Sequence, residues 1–292
     1  MRYLLLVLCM WGFYTAPILA QTDTPLRWSI LKTGSTVAPD GLVWTGGNWW
    51  TQRPINHSAF LIARGSQYFL FESGLGDAID KQFAQEMPWI LQGLFHYRFH
   101  ASVRTQLRPE HYPTRIVLSH VHWDHGGGLQ DFPDVPVTLD GAEFDELLHR
   151  DNGRTFAAQF QGAGHRLKTI PWSPKPYAVF AKHWDVFGDG SAIVVPLPGH
   201  SWGSVGLLLQ VSPSQRFFLV GDAVWAQEQV RTGQHKFSLA SGLVDRERDR
   251  LLKSLIQIQH MQQQGYTIVP THDARIQDRL GGYYPQWVAS MD

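Results

Sequence analysis

Four potential metal ligands lie within six consecutive residues, His120-Val-His122-Trp-Asp124-His125, and three glycines follow at once. Residues two apart at a strand end can project to the same side, so His120 and His122 can reach one ion while Asp124 and His125 face a neighbouring one. The glycines allow the backbone to turn tightly beneath these side chains. The segment predicts a metal centre; the alternative is a surface cluster or a hydrogen-bonded core group.

Three further potential ligands each follow a short apolar segment that is typical of a strand. His200, Asp222 and His272 stand two or three residues beyond such segments. Taken singly, each would more often be a structural histidine or a turn aspartate. Their shared placement at strand ends indicates that they join the first cluster.

The ligand types bear on the identity of the metal. A donor set of imidazoles and carboxylates without thiolates suits zinc. It suits manganese, iron or cobalt equally, because these metals differ in their order of affinity rather than in the ligands that bind them. The only cysteine, Cys9, lies in an N-terminal segment that we expect to be removed. We therefore predict two divalent ions, with zinc as the default.

Alternating apolar runs predict the strands, and helical periodicity predicts two longer helices. The predicted strands are 28–37, 59–63, 68–71, 114–118, 136–139, 192–197, 206–211, 217–220 and 266–270. A helix is predicted from Asp140 to Arg150, with Asp140 and Glu143 forming a capping box, and another from Asp245 to Gln264. The glycine- and tryptophan-rich segment 41–51 is interpreted as a loop near the site. Strands in two halves, each followed by helix, predict an α+β fold of two packed sheets with helices outside.

Composition limits the class of protein. The chain has 292 residues, is 43% hydrophobic, and carries 25 Lys+Arg against 25 Asp+Glu. This balance is ordinary for a folded enzyme and supplies no basic field to attract nucleic acid. With no repeat and no linker in the body, we expect a single domain over 25–292 that acts on a small molecule.

The first twenty residues differ from the body. Arg2 is followed by an uncharged run up to Ala20, which is typical of a secretory signal peptide over 1–20. We expect cleavage after Ala20, a periplasmic or secreted protein, and no membrane span in the mature chain. The alternative is an uncleaved membrane anchor, because the run approaches the length that spans a bilayer.

Over residues 27–285 the five ligand motifs resemble those of the metallo-β-lactamase fold superfamily of binuclear hydrolases. The resemblance implies a four-layer αββα sandwich with the site at one edge. It implies that one ion is held by His120, His122 and His200. It implies that a second ion is held by Asp124, His125 and His272, and that Asp222 bridges the two ions. A hydroxide shared by the two ions would be the nucleophile. Asp124 is the candidate catalytic residue, carrying a proton to the leaving group.

Three positions narrow the branch of this superfamily. His122 favours hydrolysis, because oxygen reductases of the fold would be expected to carry glutamate there. Asp222 makes the chain more similar to the lactonase, glyoxalase II and organophosphate hydrolase branches than to true β-lactamases. Trp225 stands where lactonases typically place tyrosine, and glyoxalase II substrates are expected in the cytosol. We therefore predict cleavage of a lactone, ester or related bond; the alternatives are β-lactam hydrolysis and a non-catalytic metal-binding protein.

Other residues are candidates for supporting roles. Glu72 and Asp273 are possible acceptors that orient a ligand histidine. Tryptophans near the motifs predict an apolar substrate pocket, and the candidates are Trp44, Trp49, Trp50, Trp123 and Trp225. For Trp49 and Trp50, packing in the core is an equal alternative. His57 is expected to have no role at the site. His235, with Lys236 and Ser238, is placed on a surface loop, and an approach to the substrate is the alternative.

Overall fold

The computed structural model describes residues 24–149 and 154–288, and within them it contains two β-sheets. The strands of the first sheet are β1 (Leu26–Pro39), β2 (Gln52–Arg64), β3 (Gln67–Phe71), β4 (Arg98–Phe99), β5 (Ile116–Val117), β6 (Val137–Leu139) and β7 (Leu167–Thr169). Their order is β4-β1-β2-β3-β5-β6-β7. The strands of the second sheet are β8 (Trp184–Asp185), β9 (Ala192–Pro196), β10 (Val205–Gln210), β11 (Arg216–Leu219) and β12 (Tyr266–Val269). Their order is β12-β11-β10-β9-β8.

Helices cover the outer faces of the sheets and connect their strands. They are α1 (Asp40–Val43), α2 (Ile79–Glu86), α3 (Trp89–Gln92), α4 (Val103–Gln106), α5 (Ala142–His149), α6 (Ala157–Phe160), α7 (Gln227–Thr232), α8 (Ser238–Val244), α9 (Arg248–Gln263) and α10 (Ala274–Leu280). No helix in the described ranges has the length and apolar character needed to cross a membrane. The predicted signal peptide, residues 1–20, lies outside the described residues and stays a prediction.

Three apolar cores produce the layering. The central core joins the sheets, with Trp28 and Phe60 of the first packed against Leu207 and Phe217 of the second. A second core lies between α9 and the outer face of the second sheet, and a third covers the outer face of the first sheet. Burial of both faces of each sheet is what produces the αββα arrangement, and the predicted fold class is confirmed.

The β2–β3 hairpin follows the sequence prediction. Arg64 pairs with Gln67, which leaves Gly65 and Ser66 as a two-residue turn. Gly65 has a positive φ of 60°, a conformation that glycine adopts without steric cost.

The predicted capping box at α5 is wrong. Asp140 does accept a hydrogen bond from the Ala142 amide, but the Glu143 side chain does not return to the start of the helix. It is buried and accepts hydrogen bonds from the amides of Val121 and Gly203. Glu143 therefore joins the loops after β5 and β9, two of the loops that carry predicted ligands.

The predicted start of α9 is also wrong by three residues. The helix begins at Arg248, whereas Asp245 has an extended backbone and directs its carboxylate inward. That carboxylate accepts hydrogen bonds from other buried side chains, which a position inside the helix would not allow.

The predicted loop after β1 contains a short helix, α1, held by a buried cation. The Arg53 guanidinium pairs with Asp40 of α1 and with Glu228 of α7, and Asp273 lies 3.5 Å away. Because an unpaired buried guanidinium is costly, this network fixes α1 and α7 against β2.

Candidate metal centre

All seven predicted ligands lie together at one edge of the sandwich. The first four occupy the loop after β5, and the others follow β9, β11 and β12 of the second sheet. Each residue is buried: His120, His122, Asp124, His125, His200, Asp222 and His272. Residues at strand ends of both sheets therefore form one polar cluster in the interior of the protein.

Three histidines form the first group. Nδ1 of His122 lies 3.0 Å from Nε2 of His200, and the His120 ring centroid lies 4.4 Å from that of His122 and 4.6 Å from that of His200. One ring nitrogen of each lies within 4.8 Å of the others, a spacing that a single ion can span.

The second group contains Asp124, His125 and His272. Asp124 Oδ2 is 3.3 Å from His272 Nε2, and Asp124 Oδ1 is 3.8 Å from His125 Nε2. Asp222 lies between the two groups. Its Oδ1 is 3.3 Å from His125 Nε2 and 3.2 Å from His272 Nε2, while its Oδ2 is 3.5 Å from His200 Nε2. Asp222 therefore lies within reach of both groups, and its role as a bridging ligand stays a prediction.

The other ring nitrogen of three of these histidines forms a hydrogen bond with a neighbour. The partners of Nδ1 are Ser119 Oγ for His120 at 2.8 Å, Asp245 Oδ1 for His200 at 2.7 Å and the Asn56 carbonyl for His272 at 2.7 Å. These hydrogen bonds orient the three rings and leave Nε2 directed into the cluster. Nδ1 of His125 lies 3.0 Å from Glu72 Oε1, without the geometry of a hydrogen bond.

The atoms that face into the cluster show whether its residues are suited to metal ions. Among the described residues, Nε2 of His120, Nε2 of His125 and Oδ1 of Asp222 have no hydrogen-bond partner. Buried polar atoms without partners are costly, and convergent imidazole nitrogens and carboxylate oxygens are the donor set of a divalent transition metal. The residues present fit two such ions, although their role as ligands stays a prediction.

The pKa values of these histidines shift in both directions, because burial lowers them and the neighbouring carboxylates raise those of His125 and His272. Burial lowers the pKa of His120 and of His122 well below the usual value, so both imidazoles are neutral and have a free lone pair. Burial acts in the same direction on His272, but Asp222 and Asp124 outweigh it and raise the pKa of His272 to about 10. Metal binding would displace that proton, because a ligand imidazole must be neutral.

An apolar cavity of about 180 Å³ opens onto the cluster. Besides ligand side chains it is lined by parts of β1, α1 and α8, by the segment 94–96 and by Trp123 and Trp225. The other three predicted tryptophans do not line it, and Trp50 is 94% exposed, so neither pocket lining nor core packing describes it.

The Trp225 indole touches the cluster directly. Its Nε1 donates a hydrogen bond of 2.8 Å to Asp222 Oδ2. The ring therefore holds the shared aspartate as well as forming a wall of the cavity.

Sequence reasoning missed one residue at the site, misplaced a second and assigned a wrong role to a third. His57, on β2, lies with Nδ1 3.1 Å from Asp124 Oδ2, and nothing around it in the sequence marks it as a ligand partner. Lys236 is wholly buried rather than on a surface loop. Glu72 Oε1 does lie 3.0 Å from Nδ1 of His125, whereas Asp273 accepts from the Arg275 amide as the N-cap of α10.

Fold and site together define a class of protein. The sequence profile described as "Metallo-beta-lactamase superfamily" matches residues 53–272 of the chain. The chain therefore belongs to the metallo-β-lactamase superfamily, as its motifs indicated.

Comparison with curated proteins gives relatives of several activities. The N-acyl homoserine lactonase AttM of Rhizobium radiobacter is 26% identical over 113 residues, which are 38% of this chain and 41% of that protein. The acyl-coenzyme A thioesterase MBLAC2 of Homo sapiens is 31% identical over 122 residues, 39% of this chain and 42% of the relative. The chain thus matches about two fifths of the length of these relatives.

Solved structures share the fold at low identity. An N-acyl homoserine lactone hydrolase, with the product N-hexanoyl-L-homoserine bound at its catalytic metal centre, superimposes with a TM-score of 0.69 at 16% identity, covering 91% of this chain and 100% of that one. AidC, a dizinc quorum-quenching lactonase, gives a TM-score of 0.56 at 15% identity, covering 90% and 89%. At these identities the likeness extends to the fold alone.

Proposed function

We propose that this protein is a binuclear metal-dependent hydrolase that opens a lactone, ester or related bond in a small apolar substrate. The observation that carries the proposal is the convergence of seven buried donor residues at the base of an apolar cavity. Zinc is the proposed metal, since the donors are imidazoles and carboxylates and one structural neighbour is described as a dizinc lactonase.

Each group of residues has a defined part in the proposal. His120, His122 and His200 would hold one ion, and Asp124, His125 and His272 would hold the other. Asp222 lies within reach of both groups. When bound, two divalent ions supply a water of pKa about 7 as nucleophile and polarise the oxygen of the bond to be cleaved.

Asp124 is the proposed proton carrier. It lines the cavity, and its Oδ2 lies 3.1 Å from His57 Nδ1 and 3.3 Å from His272 Nε2. A carboxylate held in place beside the scissile bond can deliver a proton to the departing oxygen.

The lining of the cavity favours an uncharged substrate. Its wall is built from aliphatic and aromatic side chains, including Leu42, Ile55, Leu239 and Leu243. Among the lining residues in the described ranges, Arg154 is the one lysine or arginine, and its Nε donates to the Leu243 carbonyl. Because several cations are normally needed to bind the phosphates of coenzyme A, a lactone or simple ester fits better than an acyl-coenzyme A thioester.

A substrate panel tests the proposal. Purified protein loaded with zinc is assayed against acyl lactones, chromogenic esters, a phosphotriester, acyl-coenzyme A and a chromogenic cephalosporin, with metal content measured in parallel. We expect close to two metal ions per chain and turnover of lactone or ester that disappears on chelation. Full activity without metal would disprove the mechanism. Cephalosporin turnover alone would identify a β-lactamase, and no turnover at full metal loading would identify a non-catalytic member of the fold.

We also propose that the protein is exported, on the basis of residues 1–20. Expression of the full chain followed by cell fractionation and N-terminal sequencing tests this. A periplasmic or secreted form that begins at Gln21 is expected, and an intact N-terminus in the membrane fraction would show an anchor instead.

A further inference from the structure

Lys236 occupies an unusual position for a lysine. It lies between α7 and α8, its side chain is 0% exposed, and its ammonium group contacts only site residues in the described part of the chain. Nζ donates to the Asp222 carbonyl at 2.7 Å and to Asp245 Oδ1 at 2.6 Å. A buried ammonium is costly unless it is paired, so these contacts determine where the side chain rests.

Asp245 is the counter-ion of Lys236, and both of its carboxylate oxygens accept hydrogen bonds. Its Oδ1 accepts from Lys236 and also from His200 Nδ1 at 2.7 Å, and its Oδ2 accepts from Ser241 Oγ at 2.6 Å. The hydrogen bond from His200 Nδ1 requires that Nε2, which faces His122, carries the lone pair.

The ammonium therefore joins two loops that carry different donor residues. Through Asp245 it acts on His200, in the loop after β9, and through the backbone carbonyl it acts on Asp222, in the loop after β11. It also lies 4.8 Å from the centroid of the Trp225 ring, whose Nε1 holds Asp222 Oδ2. One side chain thus contacts, directly or through Asp245, both residues whose atoms His200 Nε2 and Asp222 Oδ2 lie 3.5 Å apart.

We propose that Lys236 is a positioning residue of the metal centre, which sets the separation between the first histidine group and the shared aspartate. The inference rests on the proposed function, because it assigns Lys236 a role at the same site. Its contribution is to metal affinity, and the residue does not touch the substrate.

The alternative is that Lys236 and Asp245 form an ion pair that stabilises the fold without affecting metal binding. Two variants distinguish these two hypotheses. K236M leaves the Asp245 carboxylate buried without its cation. The double variant K236M/D245N removes both charges, and the asparagine Oδ1 can still accept from His200 Nδ1. Removing a buried ion pair as a whole often restores stability, but it cannot restore the hydrogen bond to the Asp222 carbonyl.

The readouts are the melting temperature of the metal-free protein, the dissociation constants for zinc from chelator competition, and the visible spectrum of the cobalt-substituted protein. Loss of a residue that orients a ligand typically weakens metal affinity about 10- to 100-fold. We expect K236M to lose both stability and affinity. We expect the double variant to recover stability while zinc affinity stays about tenfold weak and the cobalt spectrum stays altered.

Arg166→Met is the matched control. Arg166 is also a buried cation that donates to backbone carbonyls, those of Leu129, Phe132 and Val135, none of which belongs to a donor residue. This variant should lose stability with unchanged zinc affinity. If K236M/D245N had the zinc affinity and the cobalt spectrum of the wild type, the proposal would be overturned. This test does not require that K236M folds. A wild-type protein that binds two metals but hydrolyses nothing would overturn the proposed function alone.

Discussion

His57 Nδ1 and Asp124 Oδ2 lie 3.1 Å apart, although the two residues are separated by 67 positions in the sequence. Both side chains are buried and both line the cavity. The contact holds the proposed proton carrier at its Oδ2, the oxygen that also faces His272.

Replacing His57 with leucine should therefore impair the reaction more than the fold. The variant removes the hydrogen bond that orients Asp124, so we expect kcat to fall about 10- to 100-fold with one zinc bound more weakly. Steady-state kinetics and zinc titration measure the two effects. His100→Leu is the control, because His100 makes a comparable hydrogen bond, to Ser35 Oγ at 2.8 Å, in an exposed position. Equal loss of activity in both variants would show that the effect is not specific to Asp124.

Asp222 should be the residue on which metal content depends most. Asp222→Ala removes the carboxylate that contacts His125, His200 and His272, so we expect fewer than two zinc ions per chain and loss of most activity. Elemental analysis after dialysis gives the stoichiometry. Asp278→Ala, which removes a carboxylate that accepts from the Tyr283 hydroxyl, serves as the control and should keep the full metal content. Two tightly bound ions in Asp222→Ala would contradict its place between the groups.

The apolar wall of the cavity should determine the preference for substrate chain length. Leu239 lines the cavity and is 66% exposed, so an aspartate there can fold while it removes apolar surface from the mouth. For Leu239→Asp we expect KM to rise about fivefold for a long-chain ester and little for an acetyl ester, which corresponds to about 1 kcal/mol. Ile256→Asp, 61% exposed on α9 and outside the lining, is the control. An equal rise in KM for both esters would argue against acyl binding at this wall.

Asp131 should make stability fall as pH rises. Burial raises the pKa of Asp131 to about 6. The hydrogen bond from the Asp77 amide opposes this shift, and the negative charge of Asp77 adds to it. The folded state then holds a proton that the unfolded state releases near pH 4, so stability is lost between about pH 4 and pH 6. Asp131→Asn removes this loss and keeps an oxygen that can accept from the Asp77 amide.

We expect Asp131→Asn to gain about 1 kcal/mol at pH 7.5, after allowance for partial exposure, or a few degrees of melting temperature, and nothing at pH 4. Asp134→Asn is the control of opposite sign, since the Tyr112 hydroxyl lowers the pKa of Asp134. It should gain no stability at pH 7.5. A pH-independent gain in Asp131→Asn would rule out titration as the cause.

Residue type and local spacing determined much of the protein. The apolar runs before His120, His200, Asp222 and His272 predicted strand ends, because a strand depends on a short contiguous pattern. Helix α9 was predicted within three residues at its start, and its buried positions Leu251, Leu255 and Ile258 follow the helical period. The two-sheet fold and the seven candidate donors could therefore be predicted before the structure was seen.

Only the tertiary structure decided what holds those donors in place. Local sequence patterns predict no role for His57, a surface loop at Lys236 and a helix at Asp245, yet all three contact donor residues. Their contacts join segments 67, 36 and 45 residues apart, and no local pattern encodes such distances. A ligand is marked in the sequence by its own chemistry, whereas a residue that orients it needs only one group at the right point in space, which the packing of the two sheets supplies.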